Sequence, residues 1–186
     1  MKKLLFTLAL VAVATLADAQ GTIHLANGAG TRFSINGVIP PATGGPIGGA
    51  YNFGVFAGLT ADSLALQPVL WTNMSVGGLI NGPPGQEYPI PGFEPDSRLF
   101  IQIRGRESTF GTDWERARAE GLFGQTDIKP FVLGPSPGPG TVVWSETDAT
   151  KFQHIDLVPE PSTIALVGLG FGSLVLFRGR KRSSSD

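Results

Sequence analysis

Apolar and polar residues alternate along much of this chain with the period of two expected of half-buried strands. In Gly21–Asn27, Ile23 and Leu25 alternate with Thr22 and His24. A second strand spans Arg32–Ile39 and is interrupted by Asn36-Gly37, a pair that favours positive φ and fits a hairpin turn equally well. Tyr51–Gly58 places Phe53, Val55 and Ala57 on one face, and Pro68–Met74 forms a strand centred on Trp71. Arg98–Arg106 is the clearest strand. Leu99, Ile101 and Ile103 form a core face, and Phe100, Gln102, Arg104 and Arg106 a half-polar one, as in an antiparallel sheet. Ile128–Leu133, Thr141–Trp144 and Phe152–Leu157 bring the total to seven or eight strands. Pro- and Gly-rich stretches at 40–49, 77–97 and 135–140 read as loops.

The period changes once. Thr112-Asp113-Trp114-Glu115 has the form of a capping box, with Thr112 at the N-cap and Glu115 three residues on. It predicts one short helix that ends at Gly121 and packs through Trp114, Ala117 and Arg118. No internal repeat is evident. The expected fold is mainly β: a single antiparallel β-sandwich-like domain with one short helix.

Both ends depart from this pattern. Lys2 and Lys3 precede an uncharged apolar run, Leu4–Leu16, and the small residues Ala17 and Ala19 then predict cleavage before Gln20. A retained anchor is the alternative, but the run is shorter than the roughly 20 residues a spanning helix needs. Thr163–Phe177 is a second apolar run, about 22 Å long as a helix. It falls short of a bilayer core of about 30 Å, a gap that thinning or snorkelling basic residues can close. Arg178, Arg180, Lys181 and Arg182 follow it and mark the cytoplasmic side. The predicted organisation is a signal helix over 1–19, an extracytoplasmic β domain over 20–157, a C-terminal signal with its transmembrane helix over 158–182, and a tail over 183–186.

Composition narrows the function. The stretch between the two ends carries 12 acidic and 8 basic residues, a net charge of about −4, which argues against a nucleic-acid partner. The chain has no cysteine, so no disulfide or thiolate metal site supports the fold. Glycine and proline make up about a quarter of the body, which suggests an ordered β domain with long loops.

Pro159-Glu160-Pro161, the glycine-containing apolar run and the basic end, in that order, resemble the PEP-CTERM sorting signal of Gram-negative bacteria. The resemblance implies export, transient anchoring in the inner membrane with the body outside the cytoplasm, and processing by an exosortase near the tripeptide. It also implies delivery to the cell surface or extracellular matrix. An ordinary C-terminal anchor behind a proline-rich stalk is the alternative. The body resembles a set of exported proteins of Verrucomicrobia-like bacteria that carry the same signal. The matching features include Tyr51-x-Phe53-x-Val55-x-Ala57-Gly58, Phe100-Ile101-Gln102-Ile103-Arg104 and Phe110-Gly111-Thr112-x-Trp114. That likeness implies one continuous domain and no particular activity.

Candidate chemistry in the body is sparse. His154 and Asp156 share a strand face, but no serine elbow accompanies them, and His24 and His154 make a poor metal pair. Glu94/Asp96, Asp113/Glu115 and Glu146/Asp148 are carboxylate pairs that a hydrolase would have to hold across a cleft, and loop oxygens near the first and last could take calcium. Trp71 and Trp144 are candidate glycan contacts, with a packing role the stronger reading. Arg104, Arg106 and Glu107 read as surface ion pairs, and Asn73-Met74-Ser75 as a weak glycosylation sequon. No catalytic residue, metal or cofactor is assigned. The expected protein is a non-enzymatic structural or adhesive component of an exopolysaccharide layer, processed by signal peptidase and exosortase. A carbohydrate-binding module is the alternative, and a secreted hydrolase ranks third.

Overall fold

The computed structural model describes residues 20–41, 47–81, 87–136 and 138–159, with the backbone only of Val69 and Asn81. Eleven strands and one α-helix form among them: β1 (Thr22–His24), β2 (Ser34–Ile35), β3 (Tyr51–Gly58), β4 (Ala65–Asn73), β5 (Ile80–Asn81), β6 (Tyr88–Pro89), β7 (Arg98–Glu107), α1 (Trp114–Glu120), β8 (Leu122–Gln125), β9 (Lys129–Val132), β10 (Thr141–Val142) and β11 (Asp156–Pro159). The predicted signal and transmembrane helices lie outside the described residues. Within those residues, no helix is long and apolar enough to cross a membrane.

The strands make two sheets. A small one has the order β10-β1-β6, and a large one the order β2-β11-β8-β7-β3-β4-β5. At the centre, β3 and β7 pair antiparallel over eight residues, from Tyr51 opposite Glu107 to Gly58 opposite Phe100. The other edge of β7 is shared, with β9 along Arg98–Ile101 and β8 along Arg104–Arg106. The sheets are mixed rather than purely antiparallel, because β1 pairs parallel with β10 and β2 with β11. Both parallel pairs join segments more than a hundred residues apart, so no local pattern announces them.

One core unites the two sheets. Ile23 and Tyr88 from the small sheet pack with Phe53, Val55, Ala57, Leu99, Ile101, Ile103 and Leu157 from the large one. Except for Tyr88, in a stretch read as loop, these lie in the strands that the alternation predicts. The opposite face of the large sheet is covered too. Trp114 and Ala117 of α1 are buried there, and Trp114 clusters with Phe56 and Phe123. The fold is therefore two sheets around one core with a helix on the far face of the larger sheet.

That helix accounts for the largest local correction. Arg106 is fully buried rather than paired at the surface, and its guanidinium lies 4.4 Å from the centre of the Trp114 ring. Burial lowers its pKa from the ordinary value, and the negative charge of Asp113 opposes that shift. Its Nη1 donates to the Glu107 carbonyl at 3.3 Å, while Nε and Nη2 have no hydrogen-bond partner among the described residues. Beside it, the Arg104 guanidinium stacks 3.9 Å from the Phe56 ring centre. Cation–π contact thus replaces the ion pairs expected for this face.

Other local expectations shift by small steps. The N-cap of α1 is Asp113, not Thr112, because its Oδ1 accepts from the Arg116 amide at 2.9 Å. Asn36 and Gly37, at φ 52° and 75°, form the hairpin turn, closed by reciprocal bonds between Ile35 and Val38. The stretch 77–97, read as loop, contains β5 and β6. Strand β8 follows the helix with a single intervening residue and lacks alternation, which hid it from the pattern. Asn73 is buried and fully engaged, its Nδ2 donating to Ile47 and Met74 carbonyls and its Oδ1 accepting from the Tyr51 amide. A glycan could not occupy that nitrogen in the folded chain.

Candidate functional site

Two of the regions that sequence analysis singled out, the stretch around Asp156 and the start of the C-terminal signal, meet at β11. This strand lies between β2 and β8. Asp156 and Leu157 register with Ser34 and Ile35 on one side, and Val158 and Pro159 with Phe123 and Leu122 on the other. Gly124 permits the close approach of β8, since a Cβ there would sit 2.1 Å from the Asp156 carbonyl oxygen. Asp156 also holds the β2 turn. Its carboxylate accepts from Ser34 Oγ at 2.6 Å and from the Gly37 amide at 3.0 Å. The Leu157 carbonyl accepts from the Asn36 amide at 3.0 Å, and its side chain is fully buried.

The β2 turn and the loop before β11 enclose an open pocket of about 430 Å³. Arg32, Ser34, Glu146, Gln153, His154 and Asp156 contribute its polar lining. His154 and Asp156 both line it, although His154 precedes β11 and is not in a strand as the alternation predicts. The serine that lines the pocket with them is already committed, however, since Ser34 donates to Asp156. Asp156 therefore acts here as a structural clasp, and the serine–imidazole bond of nucleophilic catalysis does not form part of this arrangement. Sequence reasoning missed Arg32 and Ser34 because their pocket partners Glu146, His154 and Asp156 lie more than a hundred residues away.

The remaining candidates disperse. Asp113 caps the helix; Asp148 accepts from the Thr150 hydroxyl and amide, which holds its carboxyl below 3.8. No group of three or more histidine or acidic side chains that could hold a metal occurs among the described residues. His24 faces Glu87 across 3.8 Å.

Trp71 and Trp144 are core residues, 6% and 5% exposed. The Trp71 ring packs on Tyr88, and the Trp144 ring on Phe152, with its Nε1 donating to the Leu25 carbonyl at 2.6 Å. Neither presents a face on which a sugar could stack. The reason is chain position: both lie where the two sheets close over each other, so packing claims them first.

The predicted address residues fall mostly beyond the described chain. Gln20 is the first described residue, and Ala17 and Ala19 lie outside. Glu160, Pro161, Arg178, Arg180, Lys181 and Arg182 lie outside as well. Pro159 is described, and it is not part of a free stalk. It ends β11 opposite Leu122. The boundary expected after Leu157 therefore falls inside a strand.

A family model for the PEP-CTERM protein-sorting motif matches residues 157–182. The chain carries a PEP-CTERM sorting motif. This motif implies an exported protein, transiently anchored in a membrane and processed by an exosortase. The match covers the C-terminal motif and leaves the body untouched, so the likeness of the body to the Verrucomicrobia-type set finds no support in it. No curated protein and no solved structure matches the chain.

Proposed function

We propose that this PEP-CTERM protein is a non-enzymatic structural or adhesive component, displayed at the cell surface or in the extracellular matrix after exosortase processing. The observation that carries the proposal is the continuity of β11 with the sorting motif. A signal that begins in the last described strand of a folded domain delivers that domain. The composition agrees with delivery to the outside. A cysteine-free, net acidic body is indifferent to the redox state of its compartment and is repelled by anionic membrane surfaces once released. In this reading a signal peptidase removes 1–19, the run at 163–177 holds the chain in the inner membrane, and an exopolysaccharide layer is the final surrounding.

The test replaces Glu160 and Pro161 together by alanine and follows the protein by fractionation of the cells that make it. The wild-type body is expected in the released or surface fraction, and the variant in the membrane fraction. Equal distribution of the two would contradict sorting through this signal.

A further inference from the structure

The pocket beside β11 holds polar side chains that the fold itself does not use. Arg32, Glu146, Gln153 and His154 line it, and none of these side chains makes a hydrogen bond or ion pair among the described residues. Arg32 Nε is buried without an acceptor, which costs free energy until something supplies one. The Glu146 carboxylate fills the space that a Cβ at residue 30 would take, so Gly30 is what lets it lie there. Arg32 and Glu146 thus carry opposite charges in one pocket without pairing to each other. An occupant must bring an acceptor to the guanidinium and a donor to the carboxylate. Asp156 narrows the class further. Its donors are neutral, the Ser34 hydroxyl and the Gly37 amide, so they leave its charge in place. Glu146 and Asp156 together set two negative charges against one arginine, which disfavours an anion and the carboxylate end of a zwitterion. A hydroxyl donates, accepts and carries no charge, and the Gln153 amide offers it both kinds of partner. The hollow also continues. A second one of about 100 Å³ shares Gln153 and His154 and adds Asp127 and Lys129. Lys129 Nζ is tied to the Ala149 and Lys151 carbonyls at 2.7 Å, which fixes that wall, while the Asp127 carboxylate is uncommitted among the described residues. The two hollows form one polar trough, with Gln153 and His154 exposed between them.

We propose that this trough binds a neutral saccharide chain, with one sugar ring in the larger hollow and the chain running past Gln153 and His154 towards Asp127. Arg32 donates to a hydroxyl or ring oxygen, Glu146 accepts from neighbouring hydroxyls, and Gln153 bridges the two hollows. Polar contacts alone hold the ring, because no Phe, Tyr or Trp side chain among the described residues lines the larger hollow. Each contact is exchanged against water, so one site binds weakly, with a Kd of about 1–10 mM. A site of that strength suits a protein surrounded by a polymer that offers the same unit many times. The proposal rests on the adhesive reading only for where the ligand is met; binding itself needs no sorting.

The test is saturation-transfer NMR on the full chain, purified in a detergent without a sugar headgroup. The probes are neutral trisaccharides of glucose, galactose and mannose, with a galacturonic acid trisaccharide and glycine as charged competitors. At least one neutral trisaccharide is expected to bind, more tightly than either charged probe. Arg32→Gln is expected to weaken it at least about tenfold, and Gln153→Ala about fivefold. Gly30→Ala, which displaces the Glu146 carboxylate, is expected to weaken it as well. Gln153 is exposed and its side chain makes no bond in the fold, so its variant keeps the wild-type thermal midpoint and tests the site by itself. The proposal is overturned by no neutral trisaccharide binding at about 50 mM, by tighter binding of galacturonate or glycine, or by equal binding in wild type and all three variants. An unchanged distribution of the Glu160 and Pro161 variant in cells would contradict sorting and leave this result standing.

Discussion

Arg106 shows how a single residue can follow the alternation of its strand and still be misread. Its place on the second face of β7 is as predicted, but that face is roofed by Trp114 rather than by water. A buried guanidinium with two unpaired nitrogens contributes little net stability, because desolvation offsets much of the cation–π gain. Arg106→Met, which roughly keeps the volume, is expected to leave the free energy of urea unfolding within about 1 kcal/mol of wild type. Arg106→Ala opens a cavity under the tryptophan and is expected to cost about 2–4 kcal/mol. Asp148 makes the opposite point at the surface. Its folded pKa lies below 3.8, first through the Thr150 hydroxyl and amide. Its stabilising contribution is therefore complete above 3.8 and is lost as pH falls through the lower, folded value. Carboxyl NMR titration should place Asp148 below 3.8, and Thr150→Val should move it back towards that value.

Elements were legible where one strand face meets the core and the other a different environment. Phe53, Val55 and Ala57 of β3 and Leu99, Ile101 and Ile103 of β7 are all buried as their alternation implies, because each strand carries its own record of which side is inside. The short elements were not legible for a physical reason. β2, β5, β6 and β10 are two residues long, too short to show a period, and all but β5 exist because a distant partner supplies their hydrogen bonds. The helix was found, but its start was displaced by one residue because Thr112 and Asp113 are both competent caps. Asp113→Ala is expected to cost about 1 kcal/mol in thermal or urea unfolding, and Thr112→Ala less than about 0.5 kcal/mol. Equal effects would return the cap to Thr112. The candidate site was half legible: the His154-x-Asp156 spacing located one wall of the pocket, whereas Ser34, which commits Asp156 to a structural role, is 122 residues away.

At the scale of the whole molecule, the domain and the first three residues of its address share one strand. A sorting signal is usually pictured as an appendage, and the paired prolines favour that picture. Here the first proline ends a strand whose preceding leucine belongs to the core shared by both sheets. Glycine- and proline-rich loops leave the domain few long strands, so the loss of even a short one is costly. Leu157 burial accounts for about 2–3 kcal/mol, and each bond from Ser34, Gly37 and Asn36 for about 1 kcal/mol. The most direct measurement of this unity compares thermal unfolding of two chains that both begin at Gln20, one ending at Pro159 and the other at Ile155. The chain with β11 should melt cooperatively, and the shorter one should melt about 10 °C lower or more, or show no cooperative transition. Identical midpoints would mean that β11 lies outside the domain and that the sorting signal is a detachable tail.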